Sequence, residues 1–287
     1  MMPQTPRARV LAAIGHQRTD RIPRGELLVE EVFLDRLYPK IAGAPYTEKM
    51  RTLMEDASLD LITVRIGEGK EDEDLTALGR WVKDTPYFVM AFVDGLFWKP
   101  EDPLKFEDFV LGICHDEKGI RELIKRKKKK ALHLIKGCLD QGADGVIIGD
   151  DLAYDRGPYI SPKVLRDSVF PGLQEMVKAI QAASRAAFLH SCGNLVSLMD
   201  MILSCGFDGL HGLAPAAGND PLNIRRMTKG RLTLMGIFDL DGMEHESVKA
   251  LKENIIRPLA ADGGYILGSA AGLSSNTPIE SFRALYK

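Results

Sequence analysis

Short apolar, β-branched runs alternate with longer stretches in which apolar residues recur at spacings of three and four. The runs are Ile22 to Val29, Leu59 to Ile66, Phe88 to Val93, Gly145 to Gly149, Ala187 to Cys192, Gly209 to Leu213, Leu232 to Phe238 and Tyr265 to Leu267. Strands alternating with amphipathic helices predict a parallel sheet, and eight strands are the number that closes a (β/α)₈ barrel. Two stretches, Glu117 to Leu139 and Pro162 to Ser184, carry the helical stripe most clearly. Gly142, Gly206, Gly230 and the pair Gly263/Gly264 each fall between a helical stretch and the next strand, where a left-handed cap is wanted. Glu68 to Asp74 reads as an exposed loop, and no linker composition interrupts the pattern, so one domain over residues 1–287 is expected.

Composition narrows the class. Hydrophobic residues make up 45% of the 287 positions and charged residues 27%, the mix of an ordinary globular protein. A formal net charge of −2 gives no broad phosphate-neutralising surface, so nucleic acid is not an expected partner. The basic run Lys125 to Lys130 reads first as a solvated helix face, with a docking patch for an acidic partner as the other reading. Four dispersed cysteines, Cys114, Cys138, Cys192 and Cys205, are expected as reduced thiols. The charged N-terminal stretch lacks a signal-like apolar segment and no run reaches membrane-spanning length, so a cytoplasmic location is expected.

Strands buried on both faces should be apolar throughout, so polar residues at their C-terminal ends need another explanation. Glu26 lies within the first run, Asp94 ends the third, and Asp150 with Asp151 end the fourth. His190 and Cys192 end the fifth, with Asn194 just beyond; His211 lies on the sixth and Asp239 ends the seventh. In a barrel this rim is the active-site face. Side chains alternate along a strand, so His190 and Cys192 point the same way with Cα atoms about 6.6 Å apart. Both can reach one ion, and imidazole nitrogen and thiolate sulfur are ligands that zinc favours. The competing reading makes Cys192 a small hydrophobe. His211, on the neighbouring run, either supports the same site or donates to a substrate. Asp150 and Asp151 have opposite parity, so at most one faces inward, and Asp151 is favoured. Asp94 and Asn194 are candidate substrate contacts, and Glu26, Asp151 and Asp239 are candidates for moving a proton.

Several stretches resemble the uroporphyrinogen decarboxylase superfamily: Arg7–Ala13 with Asp20–Pro23, Asp144–Leu152 with Gly157–Pro162, Leu189–Asn194, Gly263–Leu267 and Asn276–Glu280. The resemblance implies the same barrel. The decarboxylases of that superfamily hold their acidic substrate with paired N-terminal arginines, whereas the stretch here is Arg24-Gly25-Glu26-Leu27-Leu28, with a single arginine and a carboxylate. The corrinoid-dependent methyltransferase branch carries His-x-Cys on the fifth strand, matched by His190 and Cys192, and a further cysteine after the eighth, where Ala271 stands here. The resemblance thus implies a methyltransferase that works with a separate corrinoid protein and holds zinc through His190 and Cys192. With alanine at 271, either another residue, with Glu26, Asp151, His211 and Asp239 as candidates, completes the site, or the chain binds no zinc. A metal-independent decarboxylase or lyase and a non-catalytic small-molecule-binding barrel are the other readings, and the oligomeric state, monomer or homodimer, is open.

Overall fold

The computed structural model describes residues 2–241, 243 and 245–287. Seven parallel strands form one sheet in chain order: β1 Leu61–Arg65, β2 Phe88–Asp94, β3 Gly145–Gly149, β6 Ala186–His190, β7 Gly209–His211, β8 Thr233–Met235 and β9 Tyr265–Ile266. A small antiparallel hairpin, β4 Ala153–Tyr154 and β5 Gly157–Pro158, follows β3. The expected first strand, Ile22 to Val29, is the exception. It joins the sheet only through single parallel bridges, Gly25 to Leu61 on one side and Arg24 to Leu267 on the other. These bridges nevertheless close the sheet into a cylinder, because one segment pairs with both of its edges. Pro23 has no N–H to give to a ladder, so it contributes only its carbonyl, which accepts from Leu267 N at 2.8 Å. The seam also needs residues without side chains: a Cβ on Gly268 would stand 2.1 Å from the Gly25 carbonyl oxygen, and one on Gly25 would stand 2.8 Å from Leu61 Cβ.

Alternation along the strands sorts the side chains into two cores. Leu27, Leu61, Met90, Phe92, Ile147, Phe188, Met235 and Ile266 fill the cylinder, and Val10 and Ala13 of the N-terminal helix Pro6–Ile14 join them. The opposite faces of the strands pack against the surrounding helices in a larger apolar layer. The cylinder is therefore solid through its middle and floor, which leaves chemistry to its upper end.

Two helical expectations change in the structure. Pro162 to Ser184 is two helices, Pro162–Ser168 and Phe170–Ala182, because Pro171 cannot donate to the carbonyl four residues earlier. The acidic stretch expected as a loop begins the helix Glu71–Asp84, whose first turn holds Glu71, Asp72, Glu73 and Asp74. Carboxylates there face the positive end of the helix dipole, which favours a helix start where composition alone suggests a solvated loop. Within the helix Lys118–Asp140, the basic run is largely neutralised. Lys127 pairs with Asp102, Lys128 with Glu175, and Lys130 with Glu68 and Glu71. Among the described residues no helix is long and apolar enough to cross a membrane.

Candidate metal centre at the barrel mouth

Strand register brings the polar ends together. His190 on β6 lies opposite Gly149 on β3 and His211 on β7. β6 ends at His190, so Cys192 stands two residues past the strand rather than on it. Its position is held by the backbone: Cys192 N donates to Asp151 Oδ1 at 2.8 Å. The Cys192 sulfur then lies 3.7 Å from His190 Nε2, and Asp151 Oδ1 lies 4.0 Å from the same nitrogen. One ligand atom from each of Asp151, His190 and Cys192 falls within 4.8 Å of the other two.

The neighbouring aspartate does something else. Asp150 is buried and accepts from Leu96 N at 3.1 Å and Phe97 N at 2.7 Å, which fixes the loop after β2. Burial pushes its carboxyl up to about 6, against the pull of those two N–H groups. His190 is buried, and desolvation holds its imidazole below the usual range despite the attraction of Asp151. Its Nδ1 lies 2.8 Å from Nδ1 of His211, which is also fully buried and held well below the ordinary value by burial and by His190. Both rings are therefore neutral, and one of the two facing nitrogens carries a proton for the other. Cys192 is exposed at the rim, yet its sulfur is crowded by protein on one side. That enclosure, followed by the Asp151 and Asp239 carboxylates, pushes the thiol up to about 12.

The three clustered groups face a cleft of about 400 Å³. Phe92, Phe97, Trp98 and Tyr159 form an aromatic wall, Leu27, Leu28 and Ala271 add apolar surface, and Arg65 and Lys99 bring positive charge. Asp94 lines the same cleft and pairs with Lys99 at 2.6 Å and Arg65 at 3.5 Å. Of these, Arg65 escapes a search for acids, histidines and cysteines, although a charged residue ending β1 carries the same signal as Asp94 ending β2.

Four expected site residues do not line the cleft: His211 is buried behind His190 and meets no substrate space, and Glu26, Asn194 and Asp239 stand elsewhere. Glu26 turns outward from the cylinder, away from the cleft, because Gly25 and Leu27 take the inward positions on either side of it. There it is buried and accepts from Ser269 N at 3.2 Å, from the Ser269 hydroxyl and from the Tyr286 hydroxyl. Burial pushes its carboxyl up to about 7 against those hydrogen bonds. Asn194 lies outside the cleft lining, and its Oδ1 caps the short turn Val196–Leu198 by accepting from Val196 N at 3.1 Å. Asp239 is exposed at the rim and accepts from Asp241 N at 3.3 Å; it influences the Cys192 thiol without joining the cluster.

Comparison with known proteins agrees with this architecture. The family described as uroporphyrinogen decarboxylase (URO-D) matches residues 104–287. The chain belongs to the uroporphyrinogen decarboxylase family. No curated protein matches it. Among solved structures, a methyltransferase from Methanosarcina mazei superposes with a TM-score of 0.77 at 18% identity, covering 98% of this chain and 97% of that one. A 3-keto-D-glucoside 4-epimerase from E. coli gives 0.55 at 14% identity, with 92% and 97% covered. A protein from Sinorhizobium meliloti gives 0.56 at 11% identity, with 91% and 98% covered. At these identities the likeness establishes the fold. Within the uroporphyrinogen decarboxylase family frame, Ala271 faces the cleft where the methyltransferase resemblance expects a cysteine, so that position brings no sulfur to the site.

Proposed function

We propose that the protein is a methyltransferase component that moves a methyl group between a small molecule, a methyl ether or thiol, and a separate corrinoid protein. The observation that carries this reading is the convergence of Asp151, His190 and Cys192 on one point of the mouth. The donor set suits zinc. It offers one oxygen, one nitrogen and one sulfur, and three protein ligands with an open fourth position are the pattern of catalytic rather than structural zinc. The electrostatics suit a cation as well: burial first, and then the Asp151 and Asp239 carboxylates, keep Cys192 protonated, and those carboxylates would share a positive charge with the thiolate. Asp151 thus takes the part that the missing cysteine at Ala271 would play.

When bound, the metal supplies Lewis acidity toward an ether oxygen or a substrate thiol, and the partner's corrinoid supplies the site that gives or takes the methyl group. The chain itself does the rest. The aromatic wall of Phe92, Phe97 and Trp98 holds the small molecule and displaces water, while Arg65 and Lys99 attract an acidic group on it. The decarboxylase reading gains nothing from the structure: Arg24 points away from the cleft, donating to the carbonyls of Ala57 and Tyr286 at 2.8 Å each.

Elemental analysis and a methyl-transfer assay test this together. Purified protein should carry about one zinc per chain and lose it in Cys192→Ala and Asp151→Asn. Transfer between methylcobalamin and a small thiol, followed by the cobalamin absorbance change, should fall roughly 10³-fold or more in both variants, a transition-state loss of about 4 kcal/mol. A metal-free protein that takes up no zinc on titration would overturn the reading.

A further inference from the structure

The loop that carries Cys192 is held by several neighbours, and one of them takes no part in the proposed reaction. On the β3 side, Ser191 Oγ accepts from Leu152 N at 3.0 Å and Asp151 Oδ1 accepts from Cys192 N at 2.8 Å. From the hairpin β4–β5, the Tyr154 carbonyl accepts from Asn194 N at 2.9 Å. The remaining holder is Asn219, in the loop between β7 and the helix Pro221–Met227. It has no exposed surface. Its Nδ2 donates to the Gly193 carbonyl at 2.8 Å, and its Oδ1 accepts from Leu195 N at 3.0 Å.

Two glycines let these segments come together. Gly193 has φ +81°, and a Cβ there would stand 2.3 Å from the Ala153 carbonyl, so the loop is pressed against the hairpin. Gly218 has φ +86°, and a Cβ there would stand 2.5 Å from Asn194 Nδ2, so the residue before Asn219 lies directly on the same loop. Cys192 is thereby pinned on both sides of its Cα. Its own N–H is tied to Asp151, and the carbonyl of the next residue is tied to Asn219. Fixing both ends fixes the direction of its Cα–Cβ bond, which brings the sulfur 3.7 Å from His190 Nε2. The carboxamide has one workable orientation. Flipped, it would set an oxygen against the Gly193 carbonyl and an NH₂ against the Leu195 N–H.

We infer that Asn219 is a positioning residue: its buried carboxamide clamps the backbone beyond Cys192 and so holds the sulfur at the point where Asp151 and His190 converge. The inference rests on the methyltransferase reading only for what the sulfur does there. The clamp itself belongs to the metal-free chain. Asn219→Ala removes both hydrogen bonds and leaves room for water, which satisfies the two backbone groups without holding them in place.

Amide hydrogen exchange of the full-length, metal-free protein tests this first without any substitution. The Cys192 and Leu195 amides should show matching protection, because one clamp governs the opening of both. A Cys192 amide that exchanges freely while Leu195 stays protected overturns the inference. In Asn219→Ala, exchange at both should quicken about tenfold or more, although Asp151, the acceptor of Cys192 N, is untouched. Quickening at Leu195 alone would make Asn219 a local brace and overturns the inference. Asn194→Ala loses the cap on Val196 in the same loop but neither anchor, and should leave Cys192 as in the wild type. An equal change in that variant overturns the inference, since damage anywhere in the loop would then suffice. Cobalt(II) titration adds a readout that lost stability alone would not move. In Asn219→Ala the thiolate-to-cobalt charge-transfer absorption should fall relative to the d–d bands, and affinity should drop roughly 10–100-fold. Unchanged charge transfer and affinity overturn the inference. Should Asn219→Ala not fold, the wild-type exchange pattern still decides the matter. A wild type with matched protection that binds no cobalt or zinc supports this inference while sinking the metal-dependent reading.

Discussion

A carboxyl sealed inside a protein tells its story through pH. Glu26 has an ordinary value of 4.5 and is pushed up to about 7 by burial, so between those values the folded chain keeps a proton that the unfolded chain has released. The stabilising contribution is complete below pH 4.5 and is lost as pH rises through 7. At about 1.4 kcal/mol per unit, the full loss is about 3 kcal/mol. Glu26→Gln has no proton to lose. Urea unfolding of both proteins at pH 5 and pH 8 should therefore show the wild type losing about 3 kcal/mol more than the variant across that interval. Asp150, raised in the same way, is present in both and cancels. Parallel curves for the two proteins would contradict the assignment. At this scale sequence reading is partial. The spacing of His190 and Cys192 places them together, whereas strand parity does not separate Asp151 from Asp150, because both stand past the end of Gly145–Gly149 and both line the cleft. Glu26 misleads because its run meets the sheet only at isolated bridges, so its place in the register is hidden from the sequence.

Elements succeed or fail in sequence according to how local their causes are. The strand Gly145–Gly149 and the helix Lys118–Asp140 follow from their own periodicity, and both stand within a residue of expectation. The helix Glu71–Asp84 depends on dipole complementation that a charge count obscures. The N-terminal helix depends on something wholly non-local. Arg9, which is buried, donates to Asp20 and to Asp60, and Asp60, with no exposed surface, also receives Arg21 at 2.7 Å and Arg24 N at 3.0 Å. This knot ties the helix beneath the cylinder to the residues leading into β1 and to the closing segment. Removing Asp60 leaves the buried Arg9 with Asp20 alone and takes the acceptor from Arg21 and from Arg24 N, a loss of about 3 kcal/mol. Asp60→Ala should lower the urea midpoint accordingly, whereas Arg18→Ala, whose contact with Asp262 is exposed, should leave it within about 0.5 kcal/mol. Equal midpoints for the two variants would show that the knot is not needed to dock the helix.

For the molecule as a whole, the decisive step is closure, in which the first forty residues meet the last twenty. The seam runs from the bridges at Arg24 and Gly25 to the last helix, where Tyr286 covers Glu26 and Arg24 lies over the Tyr286 ring at 5.8 Å. Phe33 and Phe282, both with no exposed surface, meet edge to face at 5.4 Å in the same region. Each ring truncated to alanine should cost about 3–5 kcal/mol through lost burial and the cavity left behind. If the seam is one cooperative contact, the second truncation enters a cavity that the first has already opened. The double variant Phe33→Ala/Phe282→Ala should then fall short of the sum by about 0.5–3 kcal/mol. Strict additivity would mean that the two ends of the chain pack independently and that closure rests on the backbone bridges alone. The proposed metal site should feel the same seam, because Ser269 and Ala271 follow directly from it; loosening Phe282 should weaken cobalt binding even though none of Asp151, His190 and Cys192 is touched.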